Sequence, residues 1–141
     1  MTYISKQLRD LVRERARSCC EYCLVHTDDA FLGCEPDHII AEKHGGATDP
    51  GNLAYACMPC NRHKGTDLGS VVWATGELVR FFNPRIDRWS DYFRLDGARI
   101  EPLSDIGEVT VRILGFNSPE RVLERVDLID LGRYPGRELD S

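Results

Sequence analysis

A chain of 141 residues and 16.0 kDa can bury one hydrophobic core but has little room for a second. Its 42% hydrophobic and 29% charged residues exclude a disordered or fibrous class, and no apolar run approaches the roughly 20 residues that a bilayer span needs. The net charge of −5 speaks against a general polyanion binder. The charge is uneven, however: residues 1–18 hold five basic and two acidic side chains, and the acidic excess falls mainly after residue 64.

The opening residues, MTYISKQLRD, meet charge before any apolar stretch forms, so no secretory leader is expected and a cytoplasmic location is. Ile4, Leu8, Leu11, Val12 and Ala16 recur at helical spacing, with Lys6, Arg9, Arg13 and Arg17 off that stripe, and predict an amphipathic helix over 4–16. Residues 24–33 read as a loop. The short apolar runs IIA (39–41) and LAYAC (53–57) predict two brief strands joined by the glycine-rich loop EKHGGATDPGN. Asn61 opens a helix that stops near Gly65 or Gly69.

Further on, Asp96-Gly97 predicts the two-residue turn of a β-hairpin. Residues 104–114 fit both strand alternation and a helix capped by Ser104, and we read a helix. Ser118-Pro119-Glu120 starts the last helix, with Val122, Val126 and Ile129 as its buried stripe and Gly132 at its end. Trp73, Trp89, Phe81, Phe82 and Phe93 are assigned to the core. We expect residues 1–70 to carry the functional centre and 71–141 to form an extension packed on it.

Six cysteines in a cytosolic chain point to metal rather than disulfides. Cys20-x-x-Cys23 and Cys57-x-x-Cys60, with 33 residues between the pairs, suit one tetrahedral Zn²⁺ held by four thiolates. A redox dithiol would more commonly occur as a single pair on a thioredoxin-like pattern. Cys19 and Cys34 are left as small buried apolar residues, with Cys19 able to compete for the metal. Zinc at Cys57 and Cys60 would pin the first turn of the following helix and hold Asn61 near Asp37 and His38. A carboxylate and a carboxamide oxygen suit Mg²⁺, and His38, on the opposite face of its strand, could take a proton from water. Asn61 could also serve as a helix N-cap. Arg62, His63 and Lys64 form a basic run fit for phosphate contact, with His63 and Lys64 also placed for metal support, whereas the N-terminal arginines fit an ordinary solvated helix surface equally well.

The segments EYC, PDHIIAEKHGG and GNLAYACMPCNRHKG together resemble the HNH endonucleases, in the zinc-stapled branch with two Cys-x-x-Cys pairs and asparagine as the third signature residue. The resemblance spans residues 20–65. It implies an α+β fold with a ββα-metal (His-Me finger) core, an N-terminal helix, and a C-terminal extension of a hairpin and helices. It implies His38 as general base, Asp37 and Asn61 as ligands of a catalytic Mg²⁺ or Mn²⁺, and Asn52 as the residue that orients the base. Structural Zn²⁺ falls on Cys20, Cys23, Cys57 and Cys60, and the partner implied is double-stranded DNA, with no membrane and the oligomeric state left open. Ala41 stands where many relatives have proline. Residues 81–99 also resemble a block that follows the HNH core in bacterial relatives. The alternative is a non-catalytic zinc module, which would keep the four cysteines but would not need Asp37, His38, Asn52 and Asn61.

Overall fold

The computed structural model describes residues 3–139. Helix α1 (Lys6–Arg15) starts where Ser5 Oγ accepts from the Leu8 amide, and it buries Val12 with Ile4 and Ala16 at its two ends. Arg17 and Ser18 at φ 54° and 59° then turn the chain sharply into the first cysteine pair. Strand β1 (Cys34–His38) pairs antiparallel with β2 (Leu53–Cys57), from Cys34 opposite Cys57 to His38 opposite Leu53.

The first strand therefore precedes the expected IIA segment rather than coinciding with it. Pro36 argues against a strand in sequence, because it cannot donate to a ladder. In this two-stranded sheet β1 has one open side, so the missing N–H costs nothing. The strand stops because the Asn52 carboxamide takes over the backbone: its Oδ1 accepts from Ile40 N at 2.9 Å and its Nδ2 donates to the carbonyls of Ile40 and Ala47, each at 2.9 Å.

Helix α2 (Met58–Lys64) follows β2 without a loop, capped by Cys57 with proline in its first turn. It begins three residues before the expected start, so Asn61 lies inside the helix and is not its N-cap. Gly65, at φ 53°, ends it. The sheet, its loop and α2 form a ββα unit, giving the mixed α+β architecture.

The rest of the chain forms the hairpins β3 (Gly69–Val71)/β4 (Leu78–Arg80) and β5 (Phe93–Asp96)/β6 (Arg99–Pro102), the short helix α3 (Trp89–Tyr92), and helices α4 (Asp105–Ile113) and α5 (Pro119–Asp130). The turn between β5 and β6 is Gly97-Ala98, one residue later than expected, because Asp96 still pairs with Arg99 and Gly97 takes the positive φ of 58°. Residues 105–113 are helical, with Ser104 Oγ accepting from Gly107 N. Phe81, Phe82, Trp89 and Phe93 are buried, and Trp89 donates from its indole to the Tyr22 carbonyl at 2.8 Å. Tyr22, Phe82, Phe93 and Phe116 meet edge-on or tilted, at centroid distances of 5.2–6.4 Å, so one core draws on both halves of the chain. Trp73 departs from expectation: it is 77% exposed, with the Arg112 guanidinium 4.2 Å from its ring centroid. No described helix is long and apolar enough to cross a membrane.

Helix α5 reverses the expected burial. Val126 and Ile129 are exposed, and its buried residues are Arg121 and Arg125. A stripe chosen by hydrophobicity misses such a face, because a guanidinium can be buried when its donors are all satisfied. Arg125, 1% exposed, donates to the Ala98 and Phe116 carbonyls at 2.7 Å each and to Asn117 Oδ1 at 3.2 Å. Arg125→Met leaves the Ala98 and Phe116 carbonyls without this donor, and we expect a loss of about 3 kcal/mol in urea unfolding, of which Arg125→Lys recovers only part.

Candidate functional site

The four paired cysteines converge from three places: the tight turn after α1, the end of β2 and the first turn of α2. Their sulfurs all lie within 4.8 Å of one another, and Cys23 and Cys57 Sγ are 3.6 Å apart. Four sulfurs on one Zn²⁺ at about 2.3 Å stand about 3.7 Å apart, so the cluster fits that ion. Cys19, although buried, is outside it. All four thiols are buried, which removes the access a redox dithiol needs. Burial pushes the Cys20 thiol up, while hydrogen bonds from Cys20, Cys57 and Cys60 pull Cys23 down. Protein groups thus favour a thiolate at one sulfur, and four together call for a dication.

Sequence reasoning missed a fifth participant. Arg121 of α5 donates from Nη2 to Cys60 Sγ at 3.0 Å and reaches Cys57 Sγ at 3.9 Å, while Nη1 donates to the Leu114 carbonyl at 2.7 Å. Burial alone would lower its pKa; the negative sulfurs of Cys60, Cys23 and Cys57 outweigh that and push it up. Zinc with four thiolates carries a net charge of about −2, and a buried guanidinium offsets half of it. Only the short Arg-x-x-x-Arg spacing in α5 could have signalled this face.

The second centre is a cleft of about 530 Å³ onto which Asp37, His38 and Asn61 all open, with Arg9, Glu42, Lys43 and Thr66 among its walls. The side chains of Asp37 and His38 diverge, as strand alternation requires: Asp37 meets Lys64 of α2, and His38 meets Thr48 of the long loop. His38 Nε2 is 2.7 Å from Thr48 Oγ1 and 4.0 Å from Glu42 Oε1, which fixes the ring. Neither partner carries a signal in sequence. Asn52 does not touch the imidazole; it holds the backbone of 40–47 through the three bonds described above. The Asn61 carboxamide has no hydrogen-bond partner among the described residues, so its oxygen is available to an ion.

Lys64 differs from its sequence-based reading as a phosphate contact. It is 3% exposed, and its Nζ donates to the His38 carbonyl at 2.9 Å and to Asp37 Oδ2 at 3.3 Å. Burial raises the Asp37 pKa, and Lys64 is the main influence opposing that rise. Arg62 is exposed and reaches only Met58 Sδ at 3.8 Å; the His63 ring lies against Gly115. Neither lines the cleft, whose basic residues are Arg9 and Lys43.

Carboxylate and carboxamide oxygens, as on Asp37 and Asn61, are donor types that Mg²⁺ takes. For the sulfur cluster, elemental analysis is expected to find close to one zinc per chain, with loss of folded structure when it is stripped. Arg121→Met should lower zinc affinity by about 10- to 100-fold in a chelator competition, whereas Asp37→Ala should leave it unchanged.

Residues 20–67 match the family model described as HNH endonuclease. No curated protein and no solved structure matches the chain. The matched segment contains all four zinc-site cysteines together with Asp37, His38, Asn52, Asn61 and Lys64. Over residues 20–67, about a third of its length, the chain is similar to the HNH endonucleases.

Proposed function

We propose that the protein is a metal-dependent endonuclease that hydrolyses phosphodiester bonds in double-stranded DNA. The observation that carries this reading is the opening of His38, Asp37 and Asn61 onto one cleft whose floor is tied to the sulfur cluster through α2. His38 acts as general base and takes a proton from the attacking water, its ring held by Thr48. Asn52 positions the loop that carries Thr48, and so acts on the base at one remove. Asp37 and Asn61 present oxygens for Mg²⁺ or Mn²⁺, with Lys64 holding the Asp37 carboxylate in place. When bound there, a divalent ion supplies Lewis-acid charge to the scissile phosphoryl group and the leaving oxygen.

The charge of the cleft supports metal dependence. Glu35, Asp37 and Glu42 line it against Arg9 and Lys43, so without a cation its field repels a phosphodiester.

Plasmid cleavage with Mg²⁺ or Mn²⁺ tests the reading. His38→Ala should lose at least about 10²-fold in rate while keeping its zinc and its melting temperature. Low concentrations of EDTA should stop the wild type reversibly, and Asp37→Ala and Asn61→Ala should weaken rescue by added metal. A folded, zinc-loaded His38→Ala protein that cuts within a few-fold of wild type would refute the mechanism.

A further inference from the structure

We infer that a groove leading out of the catalytic cleft, past Lys43 and Thr66 to the β3–β4 hairpin, carries the nucleic-acid strand that flanks the scissile bond. Lys43 contacts a phosphate of that strand, and Leu78 lies against its sugars and bases. The inference rests on the nuclease reading and assigns a substrate path to the same site.

Two concavities define the groove. The catalytic cleft, about 530 Å³, shares Lys43 and Thr66 with a neighbouring hollow of about 570 Å³ whose other walls include His44, Asp67, Leu68, Leu78 and Arg80. Each falls within the roughly 300–1,000 Å³ of small-ligand pockets, a size suited to a nucleotide. The shared residues make the two adjoin.

Their charges differ in a way that suits a strand passing from one to the other. The cleft is acidic and calls for a metal, whereas the hollow has Lys43, His44 and Arg80 against Asp67. Arg80 is committed to Asp87, with bonds of 2.7 and 3.0 Å. The Lys43 ammonium has no ion-pair partner among the described residues and remains open to a phosphate. The hollow's floor is braced where His44 Nε2 donates to the Thr66 carbonyl at 3.0 Å, tying the loop after β1 to the segment after α2.

The hairpin supplies the apolar side. Val71 pairs with Leu78, which places both side chains on one face of the ribbon, and both are exposed, Leu78 at 74%. The adjacent pair, Ser70 with Val79, faces the other way, and there Arg112 of α4 anchors the ribbon through Ser70 Oγ and the Val71 carbonyl. An anchored ribbon with an exposed apolar face beside an open lysine matches a strand of alternating phosphate and apolar sugar–base surface.

The test uses the zinc-loaded 141-residue chain bearing His38→Ala, which binds without cutting, and a fluorescein-labelled DNA duplex over a salt series. Adding Lys43→Ala should weaken binding several-fold and reduce the slope of log K against log salt by about 1. Leu78→Ser should weaken binding with the slope unchanged. Arg94→Glu, an exposed charge on β5 outside both concavities, should move neither quantity. In the cleaving parent, trimming one flank of the duplex base by base should raise KM, and Lys43→Ala should abolish part of that dependence. Unchanged affinity and slope in both groove variants, in a protein whose parent still cuts DNA through His38, would overturn the path alone. A parent that cuts no better than His38→Ala would overturn the nuclease reading beneath it.

Discussion

Four thiols buried within 4.8 Å of one another constrain everything else in this chain. Ionised together they demand a dication, and only a closed sulfur site provides one without water. The turn after α1, the end of β2 and the start of α2 are thereby fixed to one point. Because β2 runs into α2 without a loop, fixing Cys57 and Cys60 also fixes the rotation of the helix. One turn later on that helix come Asn61 and Lys64, three residues apart and so on neighbouring positions of one face. The four-cysteine cluster therefore sets where α2 delivers Asn61 and Lys64.

Lys64 shows how closely the two centres are joined. Its ammonium sits beneath the Asp37 carboxylate and the His38 carbonyl, bridging the end of β1 to the end of α2. The shorter bond goes to the backbone and the longer to Oδ2 of the carboxylate. A lysine in this place both supports the acid and moderates it: it opposes the rise that burial imposes on the carboxylate's pKa and also reduces the negative field that a divalent ion would meet.

What was legible in the sequence divides along physical lines. The cysteine pairs, the helix caps at Ser104 and Ser118, and the amphipathic α1 are local patterns, and each stands where the sequence places it. The boundaries that shifted depend on partners far away in the chain. β1 ends where Asn52, fourteen residues on, captures Ile40, and Pro36 is tolerated because no strand lies on its open side. The buried face of α5 was missed because its occupants are arginines, and hydropathy patterns do not count a cation as core. Thr48 was passed over, and Lys64 was read as a surface cation, for a similar reason: a hydroxyl or an ammonium reveals its role only when its partner is in view.

The same logic bears on where the functional unit ends. The family match closes at residue 67, yet the guanidinium that offsets the charge of the sulfur cluster comes from residue 121. A tetrathiolate zinc centre is a buried net anion, and its burial against the C-terminal half is tolerable only if that half returns a positive charge. Arg121 returns it, and Arg125, one turn along the same helix, fastens α5 to the carbonyls of Ala98 and Phe116 so that Arg121 is held in register. Tyr134 adds a further bond, from its hydroxyl to the Cys23 carbonyl at 2.8 Å. The extension thus closes over the zinc site electrostatically as well as sterically, and the ββα unit with α5 removed would leave its most strongly charged centre without its counter-charge.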